Sequence, residues 1–308
     1  MQRQFALKDL TRDAMAQLSP QRLFNLSDQV AIVTGAGGGL GAWISAGLAA
    51  AGAKVFLTDH PRSPTSGTAA LLRGGGAEVH EHACDLMQDD AADSIVRAAI
   101  ERFGRVDILV NNAGTNRREP IFEVSRQTWE LIHAVDLRLP YELSRAVAKS
   151  IAARGGGAAP GRAGDTSAGA SASPSSGSGS GSGGSIIHIG SLNNAIGLEG
   201  VSVYGAHKAA LCQLAKSMSV EWARYGIRVN ALCPGFMMTP LSKPLWDDRQ
   251  RGGWILERSL MRRPGYPDEL IGTLLLLASG AGSFITGQTL YVDGGWMAGT
   301  PWSEESYR

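Results

Sequence analysis

Val30 to Asp59 reads VAIVTGAGGGLGAWISAGLAAAGAKVFLTD. "VAIVTG" is a short apolar run closed by glycine, the pattern of a buried strand. "GLGAWISAGLAAAG" is rich in small residues and long enough for a helix, and "AKVFLTD" is a second strand. Strand, glycine turn, helix and strand together open a parallel sheet with crossover helices.

The alternation continues outward from this stretch. "AEVHEHACD" (77–85) contains a third strand, "DSIVRAAIERFG" (93–104) a helix and "VDILVNNAG" (106–114) a fourth strand. One long helix is expected from about Ser125 to Arg154. "SIIHIGS" (185–191) is a strand, Tyr204 to Tyr225 a helix and "IRVNALCPG" (227–235) a strand. "PDELIGTLLLLAS" (267–279) is a helix with Pro267 in its first turn, and "QTLYVDGG" (288–295) closes the sheet. The expected fold is a single doubly wound α/β domain with a parallel seven-stranded sheet flanked by helices.

Residues 25–300 carry this domain. Residues 1–24 form an N-terminal extension, in which Phe5, Leu7, Leu10, Met15 and Leu18 suit either a weak amphipathic helix or a partly ordered tail. Residues 301–308 form a C-terminal tail. Residues 155–185 hold no large apolar side chain before the next strand and are dominated by Gly, Ser and Ala. They read as a disordered insertion within the domain.

Composition narrows the function. A net charge of +1 gives no strong attraction to nucleic acid or anionic membrane. The three cysteines, Cys84, Cys212 and Cys233, lack C-x-x-C spacing, so neither a metal site nor a disulfide framework is expected. With no apolar signal segment at the N-terminus, and with Asp9 and Asp13 against a mitochondrial presequence, the reading is cytoplasmic.

"TGAGGGLG" (34–41) follows a strand and opens a helix. Gly35 permits a tight turn, Gly39 lets the backbone approach a pyrophosphate and Gly41 lets the helix pack on the sheet. The phosphate then meets backbone N–H groups at the positive helix end. Asp59, closing the second strand, suits the adenosine ribose hydroxyls and repels a 2′-phosphate, which favours NAD over NADP. Arg62, three residues on, is placed to reach a phosphate. Asp85 either meets the adenine ring or caps the helix beginning near Asp89.

"YGAHK" puts Tyr204 and Lys208 one helical turn apart on a shared face. "TGAGGGLG", "NNAG" (111–114), Ser191 thirteen residues before Tyr204, "YGAHK" and "NALCPG" (230–235) occur in that order, followed by "VDGGW" (292–296). On these motifs the chain resembles the short-chain dehydrogenase/reductase family, a Rossmann-type fold, from about Leu26 to Met297 outside the insertion. The resemblance implies that Tyr204 is the general acid/base. It implies that Lys208 lowers the phenol pKa and binds the nicotinamide ribose, and that Ser191 holds the substrate oxygen. It further implies cofactor contacts from Leu40, Leu86, Asn112, Gly114, Met237 and Thr239, and a homotetramer.

Two positions depart from the family pattern. Asp136, in "VDL", stands where the family usually has an asparagine. His207 replaces a small residue and is expected to face solvent without a role. The lid, Phe236 to Arg263, mixes aromatics such as Trp246 and Trp254 with many charges, which suits a polar substrate. Arg117 or Arg118 is placed to pair with a substrate carboxylate. "NAGTNRREP" and "VDGGWMAG" resemble the branch acting on gluconate and deoxygluconate derivatives, so the leading expectation is a dehydrogenase of a sugar acid or polyol. A 3-oxoacyl-carrier-protein reductase-like enzyme and a nucleotide-binding scaffold with weak catalysis are the alternatives.

Overall fold

The computed structural model describes residues 11–155 and 183–299. Its strands are β1 (Val30–Thr34), β2 (Lys54–Asp59), β3 (Val79–Ala83), β4 (Ile108–Asn111), β5 (Gly184–Ile189), β6 (Ile227–Pro234) and β7 (Thr289–Val292). They form one seven-stranded sheet in the order β3-β2-β1-β4-β5-β6-β7. Every pairing is parallel, with Val33 opposite Leu57 on one side and Val110 on the other. Chain direction across the sheet reverses between β1 and β4. A crevice therefore opens at the carboxyl ends of these two strands, where doubly wound sheets bind ligands.

The helices are α1 (Arg12–Gln17), α2 (Pro20–Leu23), α3 (Gly39–Ala50), α4 (Ser66–Gly74), α5 (Ala91–Phe103), α6 (Arg126–His133), α7 (Leu139–Arg154), α8 (Ser202–Trp222), α9 (Lys243–Asp247), α10 (Arg249–Arg258) and α11 (Ile271–Ala278). Alternate strand residues feed two cores. Ile32, Phe56, Leu109 and Ile186 pack under α5, α7 and α8. Val33, Leu57, Val110 and Ile187 pack under α3, α4 and α11. Because both faces are covered, β1 is buried along its whole length, which explains its unbroken apolar run. Each such Leu or Ile stabilises the fold by about 1.5–3 kcal/mol relative to exposure.

The long helix expected from Ser125 to Arg154 is interrupted. Ala134–Arg138 form a wide π turn, and the Leu139 N–H bonds the Ala134 carbonyl five residues back. Pro140 supplies the reason: it has no N–H for the Asp136 carbonyl four residues earlier, and its ring crowds that carbonyl. The α5 helix begins at Ala91 after Asp90, within two residues of the expected start, and Asp85 does not cap it. In the N-terminal extension, Thr11 caps α1, while Met15 and Leu18 stay exposed. Residues 1–10, 156–182 and 300–308 lie outside the described residues, and with them most of the 155–185 insertion and the 301–308 tail. On either side of the insertion, Ile151 of α7 packs against Gly184 at the start of β5.

Candidate active site

The carboxyl ends of the strands border a cleft of about 1370 Å³, more than a drug-sized ligand needs. The glycine turn forms one wall. Gly35 sits at φ +66°, and a methyl group on Gly41 would fall 2.0 Å from the Gly35 carbonyl. Neither position tolerates a side chain. Above them the backbone at Gly38 and Gly39 is open, with nothing within 4 Å of where a Cβ would stand. The free N–H groups at the start of the twelve-residue α3 and this open approach fit a phosphate. Leu40 also lines the wall.

Asp59 ends β2 beside this turn. Its carboxylate accepts from Gly37 N–H at 2.9 Å and His60 N–H at 2.7 Å, which aims it at the cleft edge. Arg62 also lines the cleft. Asp85 lines the adjoining wall, where the Met87 N–H at 3.0 Å lowers its pKa. Leu86 is buried at the cleft's base. Asn112 lines the cleft too, but its side chain is committed to the scaffold: its amide donates to the carbonyls of Thr34 and Gly35.

At the opposite end, Ser191 follows β5, while Tyr204 and Lys208 lie on α8; all three line the cleft. Ser191 Oγ accepts from Asn193 N–H at 3.2 Å. Lys208 Nζ donates to the Ile189 carbonyl at 2.9 Å, stands 3.1 Å from Asp136 Oδ1 and lies 5.6 Å from the Tyr204 ring centre. Asp136 itself is fully buried.

The electrostatics add burial to the effect expected of Lys208. Lys208 does pull the Tyr204 pKa down, but burial outweighs it and the Asp136 charge adds to the rise, so the phenol lies above its ordinary value. Burial alone would lower the Lys208 pKa, yet Asp136 and Tyr204 more than reverse it, and the ammonium is held.

The expectation for His207 is corrected. It is 4 % exposed, with Nδ1 2.8 Å from the Val203 carbonyl and Nε2 3.2 Å from His133 Nδ1. Trp129 stacks edge-on against it, so it belongs to the contact between α6 and α8.

The lid presents a different face from the one its composition suggests. Asp248 caps α10 through the Gln250 and Arg251 N–H groups. Trp254 packs on Trp296 at 5.6 Å and Arg258 stacks over it, away from the cleft. The cleft side carries Phe236, Leu241, Leu245 and Arg251. Met237 and Thr239 line it as expected; Met237 is buried against Gly265 and Thr239 is bonded to Ser242. Arg118 lines the cleft and Arg117 does not. Burial and then the nearby Arg251 lower the Arg118 pKa, and both guanidinium groups line the cleft.

Two cleft residues had no place in the sequence reading. Asn116 Oδ1 and Asn193 Nδ2 are buried without hydrogen-bond partners and border the same space as Ser191 and Tyr204. Asn193 lies two residues after Ser191, which is the only sequence signal for it. Among the described residues, no cluster of His, Cys, Asp or Glu suits a metal ion, and no helix is long and apolar enough to cross a membrane.

Comparison with known proteins agrees with this architecture. Residues 29–159 match the short chain dehydrogenase family and residues 171–297 match the family described as enoyl-(acyl carrier protein) reductase. Gluconate 5-dehydrogenase of Gluconobacter oxydans is 32% identical over 279 residues, covering 90% of this chain and 98% of that protein. The 2-dehydro-3-deoxy-D-gluconate 5-dehydrogenase of Escherichia coli is 33% identical, covering 89% and 98%. The crystal structure of a gluconate 5-dehydrogenase from Burkholderia cenocepacia, in complex with NADP and tartrate, superposes with a TM-score of 0.80 at 32% identity, covering 92% of this chain and all of that one.

Proposed function

The chain belongs to the short-chain dehydrogenase/reductase family, and from that premise we propose that it exchanges hydride between a nicotinamide dinucleotide and a secondary alcohol of a gluconate-type sugar acid or polyol. The observation that carries this reading is the meeting of Ser191, Tyr204 and Lys208 in a cleft whose far wall is the glycine turn and whose near mouth holds Arg118 and Arg251. A nicotinamide dinucleotide held along the glycine turn and Thr239 would supply or accept the hydride. Tyr204 gives its proton to the substrate oxygen in reduction and takes it back in oxidation. Ser191 donates to that oxygen as charge develops. Arg118 and Arg251 receive the substrate carboxylate, which relieves their mutual repulsion.

For the cofactor, Asp59 at the end of β2 supports NAD, because a carboxylate beside the glycine turn would repel a 2′-phosphate. The solved relative carrying NADP and the presence of Arg62 in the cleft weigh the other way. The ratio of kcat/KM for the two cofactors decides the matter, and a ratio favouring NADP overturns the assignment. A cytoplasmic homotetramer completes the proposal. Exposed Trp129, Tyr141 and Phe284 offer apolar surface for subunit contacts, and a monomeric mass in sedimentation would contradict it.

The apolar lid lining favours one second reading, reduction of a 3-oxoacyl thioester. Purified protein assayed with NAD or NADP against sugar acids, neutral polyols and 3-hydroxyacyl thioesters separates the two. Turnover greatest on sugar acids supports the lead, and turnover greatest on thioesters replaces it. Cofactor binding with no turnover on any member rejects both in favour of a nucleotide-binding scaffold. Tyr204→Phe is expected to lower turnover by roughly 10²–10⁴-fold while leaving cofactor binding intact.

A further inference from the structure

Asp136 is fully buried on the π turn that Pro140 enforces, and its Oδ1 stands 3.1 Å from Lys208 Nζ. Its second oxygen accepts from the Thr115 N–H at 3.0 Å. Gly114 makes room for the pair: a methyl group there would stand 2.9 Å from Asp136 Oδ1 and 3.5 Å from Lys208 Nζ. Lys208 therefore gives one N–H to the Ile189 carbonyl and stands in ion-pair range of Asp136 Oδ1, which has no other partner among the described residues.

We infer that Asp136 is a positioning residue: its carboxylate fixes Lys208 by direct contact and sets a buried negative charge behind that lysine, which holds the Tyr204 proton more tightly than an uncharged side chain would. The inference deepens the proposed function, since it rests on Tyr204 being the acid/base group. An asparagine has one acceptor oxygen. With its amide in the same place, its NH2 replaces one of the two carboxylate oxygens and faces either Lys208 or the Thr115 N–H, and it contributes no charge. The groups facing the phenol are Lys208 on α8, Asp136 on the π turn, Cys233 on β6 and the Ser191 hydroxyl after β5. Those facing Asp136 are Lys208, His207 and the Thr115 N–H, and Cys212 also faces Lys208. Of these, Asp136 alone is a carboxylate. Burial raises its own pKa against the pull of Lys208, so it protonates at a higher pH than an exposed aspartate.

The test is Asp136→Asn in the full chain. Ionisation of Tyr204 is read directly from tyrosinate absorbance, with the Tyr204→Phe protein as the blank, so the measurement needs no turnover. The expected result is a shift of the phenol titration to lower pH by roughly one to two units. In kcat/KM for alcohol oxidation, the alkaline limb moves the same way. An unchanged phenol titration in folded Asp136→Asn protein overturns the inference. If the titration shifts but no substrate turns over, the inference stands and the proposed function falls. Should the variant fail to fold, the unmodified protein labelled at the lysine ε-carbon supplies the second readout, with Lys208→Met assigning the signal. Lys208 is expected to titrate above the surface lysines; titration with or below them overturns the inference.

Discussion

Asn112 and Thr34 are joined by two hydrogen bonds, the Asn112 backbone N–H to Thr34 Oγ1 at 3.0 Å and the side-chain amide to the Thr34 carbonyl at 2.9 Å. The same amide reaches the Gly35 carbonyl at 3.1 Å. The end of β4 therefore clamps the turn after β1, and the phosphate wall is held by a residue that sequence reading places against the cofactor. Asn112→Ala leaves two carbonyls without their donor, at a cost of about 1–3 kcal/mol. The expected result is a lower melting temperature together with weaker dinucleotide binding by calorimetric titration. Unchanged values for both would mean that the clamp does not shape the turn.

Arg118 and Arg251 come from the loop after β4 and from the lid helix α10, and both line the cleft, where the proposed function gives them the substrate carboxylate. Removing either is expected to raise KM for a sugar acid roughly tenfold, the loss of one charge-assisted hydrogen bond of about 1.5 kcal/mol. KM for a neutral polyol should change little, because no carboxylate is involved. Equal effects on the acid and the polyol would mean that these arginines only shape the lid.

Tyr204 gives the reaction a sign in pH. Its pKa lies above the ordinary phenol value, chiefly through burial. Oxidation needs the phenolate, so kcat/KM for the alcohol should climb as pH rises through neutrality into the alkaline range. Reduction needs the protonated phenol, so its kcat/KM should stay level across neutrality and fall only at high pH. Profiles measured in both directions with the dinucleotide saturating check the opposite signs, and an alcohol-oxidation rate that falls as pH rises through neutrality would contradict the acid/base role of Tyr204.

The parts legible in the sequence are those fixed by local pattern. Apolar runs ending in glycine mark strands buried on both faces, and the Tyr204–Lys208 spacing marks one face of a helix. The same spacing also places His207: Tyr204, His207, Lys208 and Leu211 follow the i, i+3, i+4, i+7 rule, which puts His207 on the buried face with the others. The effect of Pro140 was likewise readable, since a proline removes the bond to the residue four before it. The lid was not. Which of its side chains turn toward the cleft depends on Trp254 and Phe236 docking on Trp296, a contact between distant segments that no local periodicity encodes.

Asp107 is 3 % exposed and gathers the Val30 N–H at 3.0 Å, Arg105 Nε at 2.9 Å and Arg154 Nη2 at 2.9 Å. It ties the entry of β1 to the end of α7. Asp107→Ala strands these donors. Both arginines are about a quarter to a third exposed, so water offsets part of the loss, and about 3 kcal/mol is expected, the lower end for a broken buried pair. Urea unfolding measures it. Asp107→Asn, which can still accept from Val30, should lose less. A loss below 1 kcal/mol for the alanine variant would mean that solvent replaces the network.

The same tie bears on the segment between α7 and β5. Arg154 is bonded to Asp107, Ile151 packs against Gly184, and the Gly184 N–H meets the Gly226 carbonyl at 3.3 Å. The two ends of the connection are thus held by contacts that do not involve the chain between them. The composition of residues 155–185, dominated by Gly, Ser and Ala, predicts few contacts of its own, and the free energy of closing such a loop varies only with the logarithm of its length. Removing residues 157 to 183 is therefore expected to leave kcat/KM unchanged and to move the melting temperature by no more than roughly 3 °C, the equivalent of about 1 kcal/mol in a domain of this size. A larger drop in stability, or lost activity in protein that still melts cooperatively, would show that the Gly/Ser-rich stretch contributes contacts of its own.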